Sequence, residues 1–309
     1  MKRHIKKYYF YFLARIFDVF EQYEKSISYY AKVVRYRTFF WDVQSRYANT
    51  FQKVPKNYSL QIHGGIGDFL QHLPFILKNK STDYIVATHY LDARKFFEDL
   101  GIKVKQYYFY SDLDEYRSIR QKLKKLKRSY ICPRSLFFER PTFKPQASLN
   151  LAKHFTIGIH MGSSKLGPNK SLSKAFVQDL IKKLNTLHYK IILFGTLDEI
   201  KPLHLKPNKN LMLLKNKKIV DSLSMVSYCD LFIGSDSVFK TMASMLKIST
   251  IVLFKDSANH FRDRVFINPY VDQKVMHVYK YKTLEGFENT KAMQYVLEIC
   301  QSHFNHKTR

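Results

Sequence analysis

The chain has 309 residues, with 52 lysines and arginines against 25 aspartates and glutamates, a formal net charge of +27. Its length allows roughly two domains of ordinary size, and its 45% hydrophobic content, with 22 Tyr and 25 Phe, excludes wholesale disorder. Three scattered cysteines exclude a disulfide framework and a cysteine zinc site and point to a reducing compartment; no run of about 18 apolar residues offers a spanning helix; and the charge suggests an acidic partner, whether nucleic acid, anionic membrane, or a phosphorylated glycan or nucleotide.

Residues 1–52 form a basic, aromatic segment almost free of glycine and proline. Ile5, Tyr9, Phe12, Ile16, Val19, Phe20 and Tyr23 recur at three- and four-residue steps, which predicts two helices over 4–30 and 32–50. Lys6 and Lys7 lead into the apolar run without a small-residue cleavage site, so a signal peptide is a poor reading. A helix of this kind either lies on a membrane surface or packs its aromatic stripe on the body of the protein.

A strand over Asn57–Ile62 runs into the turn His63-Gly64-Gly65-Ile66-Gly67-Asp68 and then a helical pattern over Phe69–Leu77. Strands over Tyr84–Thr88 and Lys103–Phe109 flank a helix over Ala93–Leu100. Residues 114–128 read as a strongly basic helix in which Arg117, Arg120 and Lys124 offer a docking face for an acidic partner, or simply a solvated one. Pro133, Pro141 and Pro145 mark a linker. A second series follows: strands over 155–160, 190–194, 211–214, 230–233, 250–254 and 275–278, helices over 174–187, 219–228 and 237–246, and a closing helix over 288–303. Strand–helix alternation argues for parallel, doubly wound sheets. The expected organisation is α/β: a helical segment 1–52, a first domain 53–150 and a second 151–309.

In open parallel sheets, ligands bind where loops leave the C-terminal ends of strands. Four loops there carry suitable residues. In the first, Gly65 and Gly67 let a backbone approach a phosphate or sugar, and Asp68 is either a helix cap or a general base. In the second, Ser163 and Ser164 suit phosphate hydrogen bonding and Lys170 supplies charge, although solvated lysines are common in this chain. The third holds Gly195 and Glu199, the latter a ribose acceptor or a helix-start carboxylate. The fourth, Gly234-Ser235-Asp236-Ser237, precedes a helix and is an anion site by geometry, with Asp236 expected as the cap and Ser237 as donor to the ligand. The twelve histidines show no paired metal-ligand spacing, so no metal site is expected.

Together these loops resemble the bacterial heptosyltransferase family of glycosyltransferases, over residues 58 to 256. The matching segments are Gly65-Ile66-Gly67-Asp68-Phe69-Leu70 with Pro74 closing the first helical turns, Ile157 to Ser164 with Lys170, Ile191 to Gly195 with Glu199, and Tyr228 to Ser237 with Ala243 and the strand Ser249–Phe254. Two positions depart: the family's glycine after Asp-Ser is Val238 and its histidine is Thr241, which retains one hydrogen-bond donor.

The resemblance implies a GT-B fold, two Rossmann-like domains facing a cleft, and an inverting, metal-independent transfer without cofactor from a nucleotide-sugar, ADP-linked, to a lipopolysaccharide or other surface glycan. Asp68 would be the base and Lys170 would neutralise the leaving diphosphate, with Gly65, Gly67, Ser163, Ser164, Gly195, Glu199, Asp236, Ser237 and Thr241 around the donor. The implied location is cytoplasmic, peripheral at the inner face of the bacterial inner membrane. Two alternatives stay open: a GT-B transferase acting on another polyanionic acceptor (capsule, protein or DNA), or a nucleotide-sugar binding protein without activity. Against DNA stands the lack of a compact recognition motif.

Overall fold

Two all-parallel sheets organise the chain, one in each of two compact units, Met1–Thr142 and Phe143–Arg309. The computed structural model describes residues 2–35, 41–54, 57–134, 154–162, 170–215, 217–255 and 274–307. The expected boundary at 150 falls in the stretch 135–153, outside the described residues.

The first unit opens with three helices rather than the two expected: α1 (Lys2–Val19), α2 (Tyr23–Arg35) and α3 (Trp41–Gln52). The break after α1 falls at Glu21, which adopts a left-handed φ of 56°, while Gln22 N–H returns to the Phe17 carbonyl at 2.8 Å. This is a helix stop of the kind usually written with glycine; here no glycine or proline announces it. α3 seats these helices on the sheet: Tyr47 Oη donates to the Ile131 carbonyl at 2.8 Å, and the Phe51 ring meets those of Phe75 and Tyr130.

The sheet follows as β1 (Ser59–His63), α4 (Ile66–Lys78), β2 (Asp83–Thr88), α5 (Ala93–Asp99), β3 (Val104–Phe109), α6 (Leu113–Lys124) and β4 (Ser129–Ile131), in the order β3-β2-β1-β4. α4 begins at Ile66, two residues before Asp68, and continues through Pro74 instead of closing there. Proline inside a helix costs about 3 kcal/mol; burial of Leu73, Phe75 and Ile76 around it holds the helix together.

The second unit contains β5 (Thr156–His160), α7 (Lys174–Thr186), β6 (Lys190–Phe194), α8 (Leu197–Ile200), β7 (Leu211–Leu214), α9 (Ile219–Met225), β8 (Leu231–Gly234), α10 (Val238–Met245), β9 (Ser249–Lys255), β10 (Met276–Tyr281) and α11 (Gly286–Lys307). β5, β8 and most of β9 are buried along their length, as strands covered on both faces must be. Counted from β5, the spatial order β7-β6-β5-β8-β9-β10 is the doubly wound 3-2-1-4-5-6. The chain reverses direction across the sheet between β5 and β8, so their C-terminal ends form the crevice at which such sheets bind ligands. The first sheet reverses likewise between β1 and β4.

Candidate active site

At the β5/β8 switch point the loops are tied together by short polar side chains. The fully buried Ser235 donates its hydroxyl to the Gly162 carbonyl, and its N–H reaches the His160 carbonyl at 3.3 Å. Gly234 lets the two strands close: a Cβ there would lie 2.6 Å from the His160 carbonyl oxygen.

Asp236 has a different role from the expected cap. Its Oδ2 meets Lys170 Nζ at 2.9 Å and its Oδ1 meets Lys240 Nζ at 2.6 Å. Burial alone would raise the Asp236 carboxyl; the charges of Lys240 and Lys170 outweigh it and hold it at about 2. Two lysines thus converge on one carboxylate at the N-terminus of α10. The side chain of Lys240 is 5% exposed and that of Lys170 is 23% exposed, so Lys170 is the more accessible of the two. The cap of α10 is Ser237, whose Oγ accepts from Lys240 N–H at 3.5 Å and lies 3.0 Å from His160 Nδ1. Serine wins the cap because Asp236 is drawn away by the two lysines. Thr241 donates its hydroxyl to the Ser237 carbonyl at 3.2 Å, so its one donor, expected to be open to a ligand, is committed to the helix.

His160, buried at the end of β5, links this loop to the next. Its ring packs 4.5 Å from that of Phe239, and Nε2 faces Glu199 Oε2 at 3.7 Å, longer than a hydrogen bond. Glu199 forms a capping box with Thr196: Oε2 accepts from Thr196 N–H at 2.8 Å and Thr196 Oγ1 accepts from Glu199 N–H at 3.3 Å. Burial would raise Glu199, but its contacts with His160 and Thr196 take it below the ordinary glutamate value. A Cβ on Gly162 would fall 1.7 Å from Glu199 Oε1, and one on Gly195 3.0 Å from Oε2. Both glycines therefore make room for this carboxylate. Ser163 and Ser164 lie outside the described residues.

In the first unit the corresponding crevice holds Asp68. As the third residue of α4, it accepts from Gly65 N–H through Oδ2 at 3.3 Å, so its capping role is real. Oδ1 faces Arg134 Nη2 at 3.4 Å, and Arg134 also donates to Gln71 Oε1. Gly64 adopts a φ of 115° and would place a Cβ 2.1 Å from Asp68 Oδ2, so this turn needs glycine for both its backbone and its space. Gly67 is the second residue of α4. A carboxylate has about four lone-pair sites, which leaves Asp68, 37% exposed, able to accept from an incoming hydroxyl.

An aromatic row not anticipated from the sequence borders Asp68. His63, Tyr116, Tyr110 and His89 follow one another at ring separations of 5.9, 4.9 and 5.6 Å. Tyr116 Oη lies 3.4 Å from His63 Nδ1, and Tyr110 Oη 3.3 Å from His89 Nδ1. Burial takes His89 below the usual histidine value, although the charge of Asp68 pulls the other way. Burial, reinforced by Tyr116 and Asp68, raises Tyr110. Arg117, Arg120 and Lys124 are exposed on α6, and Arg117 pairs with Asp114 at 2.5 Å. Lys6 is exposed on α1, and the side chain of Lys7 lies outside the described residues. Among the described residues, no group of three or more His, Cys, Asp or Glu is placed to hold a metal ion.

No family model and no curated protein sequence matches this chain. Solved structures do. The chain is similar to the ADP-heptose lipopolysaccharide heptosyltransferase II of E. coli, with a TM-score of 0.50 and 15% identity over 82% of this chain and 100% of that one. It also matches a family 9 glycosyl transferase from Veillonella parvula, with a TM-score of 0.46 and 13% identity over 81% and 97%. The fold is thus GT-B, with two Rossmann-like units preceded by the helices α1 to α3.

Proposed function

We propose that the chain is an inverting glycosyltransferase of the heptosyltransferase kind, moving a sugar from a nucleotide-sugar to a surface-glycan acceptor at the inner face of the bacterial inner membrane. The observation that carries this reading is the Lys170–Asp236–Lys240 cluster at the switch point of a doubly wound sheet. A leaving diphosphate gains negative charge in the transition state, and preorganised cations stabilise it without reorganising. Lys170 would contact the diphosphate, while Asp236 and Lys240 hold Lys170 in place. The protein's cations then do the neutralising, and no metal is required. Asp68 would take the proton from the attacking hydroxyl. The row from His63 to His89 would give the acceptor sugar apolar faces and polar edges.

The E. coli similarity supports an ADP-linked heptose as the first candidate donor, and the acceptor is proposed as lipopolysaccharide or a related acidic glycan. The test is a thermal-shift screen of ADP-, UDP- and GDP-sugars against the wild type and Lys170→Ala, followed by a transfer assay with and without EDTA. One nucleotide-sugar should raise Tm in the wild type, with the shift lost in Lys170→Ala, and transfer should survive EDTA. If no nucleotide-sugar stabilises the wild type, the reading is wrong. Stabilisation without sugar release or transfer would leave a binding protein in its place.

A further inference from the structure

α1 is apolar on two sides, and the unit uses one of them. Phe17 stacks on Tyr29 at 5.4 Å, Phe10 and Tyr11 meet Tyr29 and Tyr30, and Ser26 Oγ donates to the Ala14 carbonyl at 2.9 Å. That side is closed by α2. The other side and the residue just beyond it carry Tyr8, Tyr9, Phe12, Val19 and Phe20, which are between 57% and 72% exposed. At about 100° per residue these five share an arc of roughly 120°. Phe20 belongs to the same face because its N–H still bonds to the Ile16 carbonyl at 3.0 Å. An outer helix face this aromatic is the mark of an interaction surface, not of a solvated one.

The surrounding charge identifies the partner. Residues 1–52 hold ten lysines and arginines against four acidic residues. Lys6 is exposed at one end of the face, and Lys25 and Lys32 lie along the α1–α2 seam, over Phe17 at 5.4 Å and over Tyr29 at 4.4 Å. A second copy would bring its own +27 charge to the same face, and self-repulsion opposes that pairing. Among the described residues no helix is long and apolar enough to cross a membrane. An aromatic face rimmed by lysines on a helix of 18 residues fits one lying in the plane of the lipid interface.

We propose that α1 is a docking helix for an anionic lipid surface, with Tyr9, Phe12 and Phe20 entering the headgroup–acyl boundary and the lysines meeting lipid phosphates. The assignment is independent of the transfer chemistry. The test is co-sedimentation of the full chain with vesicles of phosphatidylcholine alone and of phosphatidylcholine mixed with phosphatidylglycerol. The wild type should bind the mixed vesicles, weakly at high salt and weakly to phosphatidylcholine alone. Tyr9→Ser/Phe12→Ser/Phe20→Ser should bind at least about tenfold less, given the apolar area removed, with an unchanged circular dichroism spectrum. If the triple variant does not fold, the single Phe12→Ser variant carries the test and should show a smaller loss in the same direction. Failure of the wild type to bind mixed vesicles, or equal binding by the variants, overturns the proposal. So does a concentration-dependent dimer that the substitutions abolish, because the face would then belong to a second copy.

Discussion

In the second unit, Ser235, Asp236 and Ser237 each reach a partner outside their own loop: the Gly162 carbonyl, Lys170 and the His160 ring. In the first unit, Asp68 has one bond to its own turn and one 3.4 Å contact with Arg134, and both partners of that ion pair stay partly exposed. The same topological position, the C-terminal end of a sheet where the chain changes direction, is therefore filled in two ways. One is a charged cluster tied across loops; the other holds a more exposed carboxylate and is lined by tyrosine and histidine. Fixed charge suits a ligand part that never varies, such as a diphosphate. An open carboxylate beside aromatic faces suits the side where different acceptors are read.

The contrast is tested most severely at Asp236. Asp236→Ala leaves two neighbouring lysines without their anion, and Lys240 has almost no access to water. Removing one partner of a buried ion cluster typically costs about 3–5 kcal/mol. Urea unfolding at neutral pH should show a loss of that size. A loss under about 1 kcal/mol would mean that the cluster is solvated and the second site is no more rigid than the first.

Acid should separate the units next. His72 on α4 is buried, its Nδ1 is 3.0 Å from the Pro133 carbonyl, and burial, with the Arg134 charge, depresses it from 6.5 to about 3. Below about pH 6.5 the unfolded chain binds a proton that the folded one refuses, so this contribution is complete above that pH and is lost on acidification, at about 1.4 kcal/mol per pH unit. Asp236, held at about 2 against 3.8, loses its contribution only as the pH falls below about 4. Between pH 6.5 and 4, urea midpoints read by circular dichroism should fall in the wild type, and His72→Asn should flatten the slope. An unchanged slope in that variant would remove His72 as the cause.

The alternation of strands and helices was readable because β6, β8 and β9 are built on continuous apolar runs between polar turns. What was missed had no local mark. β4 has three residues and follows a basic helix, too short for any period to show. The stop at Glu21 uses a left-handed residue that is not glycine. In the sites, glycines and acids at strand ends pointed to the right loops, but not to their partners. Asp68 and Arg134 are 66 residues apart, as are Lys170 and Asp236. Only the sheet order β3-β2-β1-β4, or the six-stranded order in the second unit, brings such pairs together. Asp236 read as a cap because the residue before a helix usually is one; the two lysines that claim it lie outside that local frame. His89 and Tyr110 follow β2 and β3 without a glycine turn to draw attention to them.

The smallest change in stability is expected at Asp68, and it makes the sharpest distinction. Asp68→Asn keeps an oxygen for Gly65 N–H and gives up the charge and the acceptor that Oδ1 offers Arg134 at 3.4 Å. A partly exposed pair of that length contributes at most about 1 kcal/mol, and Arg134 retains Gln71 as an acceptor. Unfolding should therefore shift by no more than that amount, and donor-induced stabilisation should be unaffected because the cluster proposed to hold the donor belongs to the other sheet. Turnover should nonetheless fall by about 10²–10⁴-fold, the usual worth of a general base. A variant that unfolds early would make Asp68 a structural cap first. One that is stable and keeps near-normal turnover would move the base elsewhere along the row, with His89 the next group to test. Only the combination of an intact fold, intact donor binding and lost turnover matches a first unit built for chemistry and a second built to hold charge.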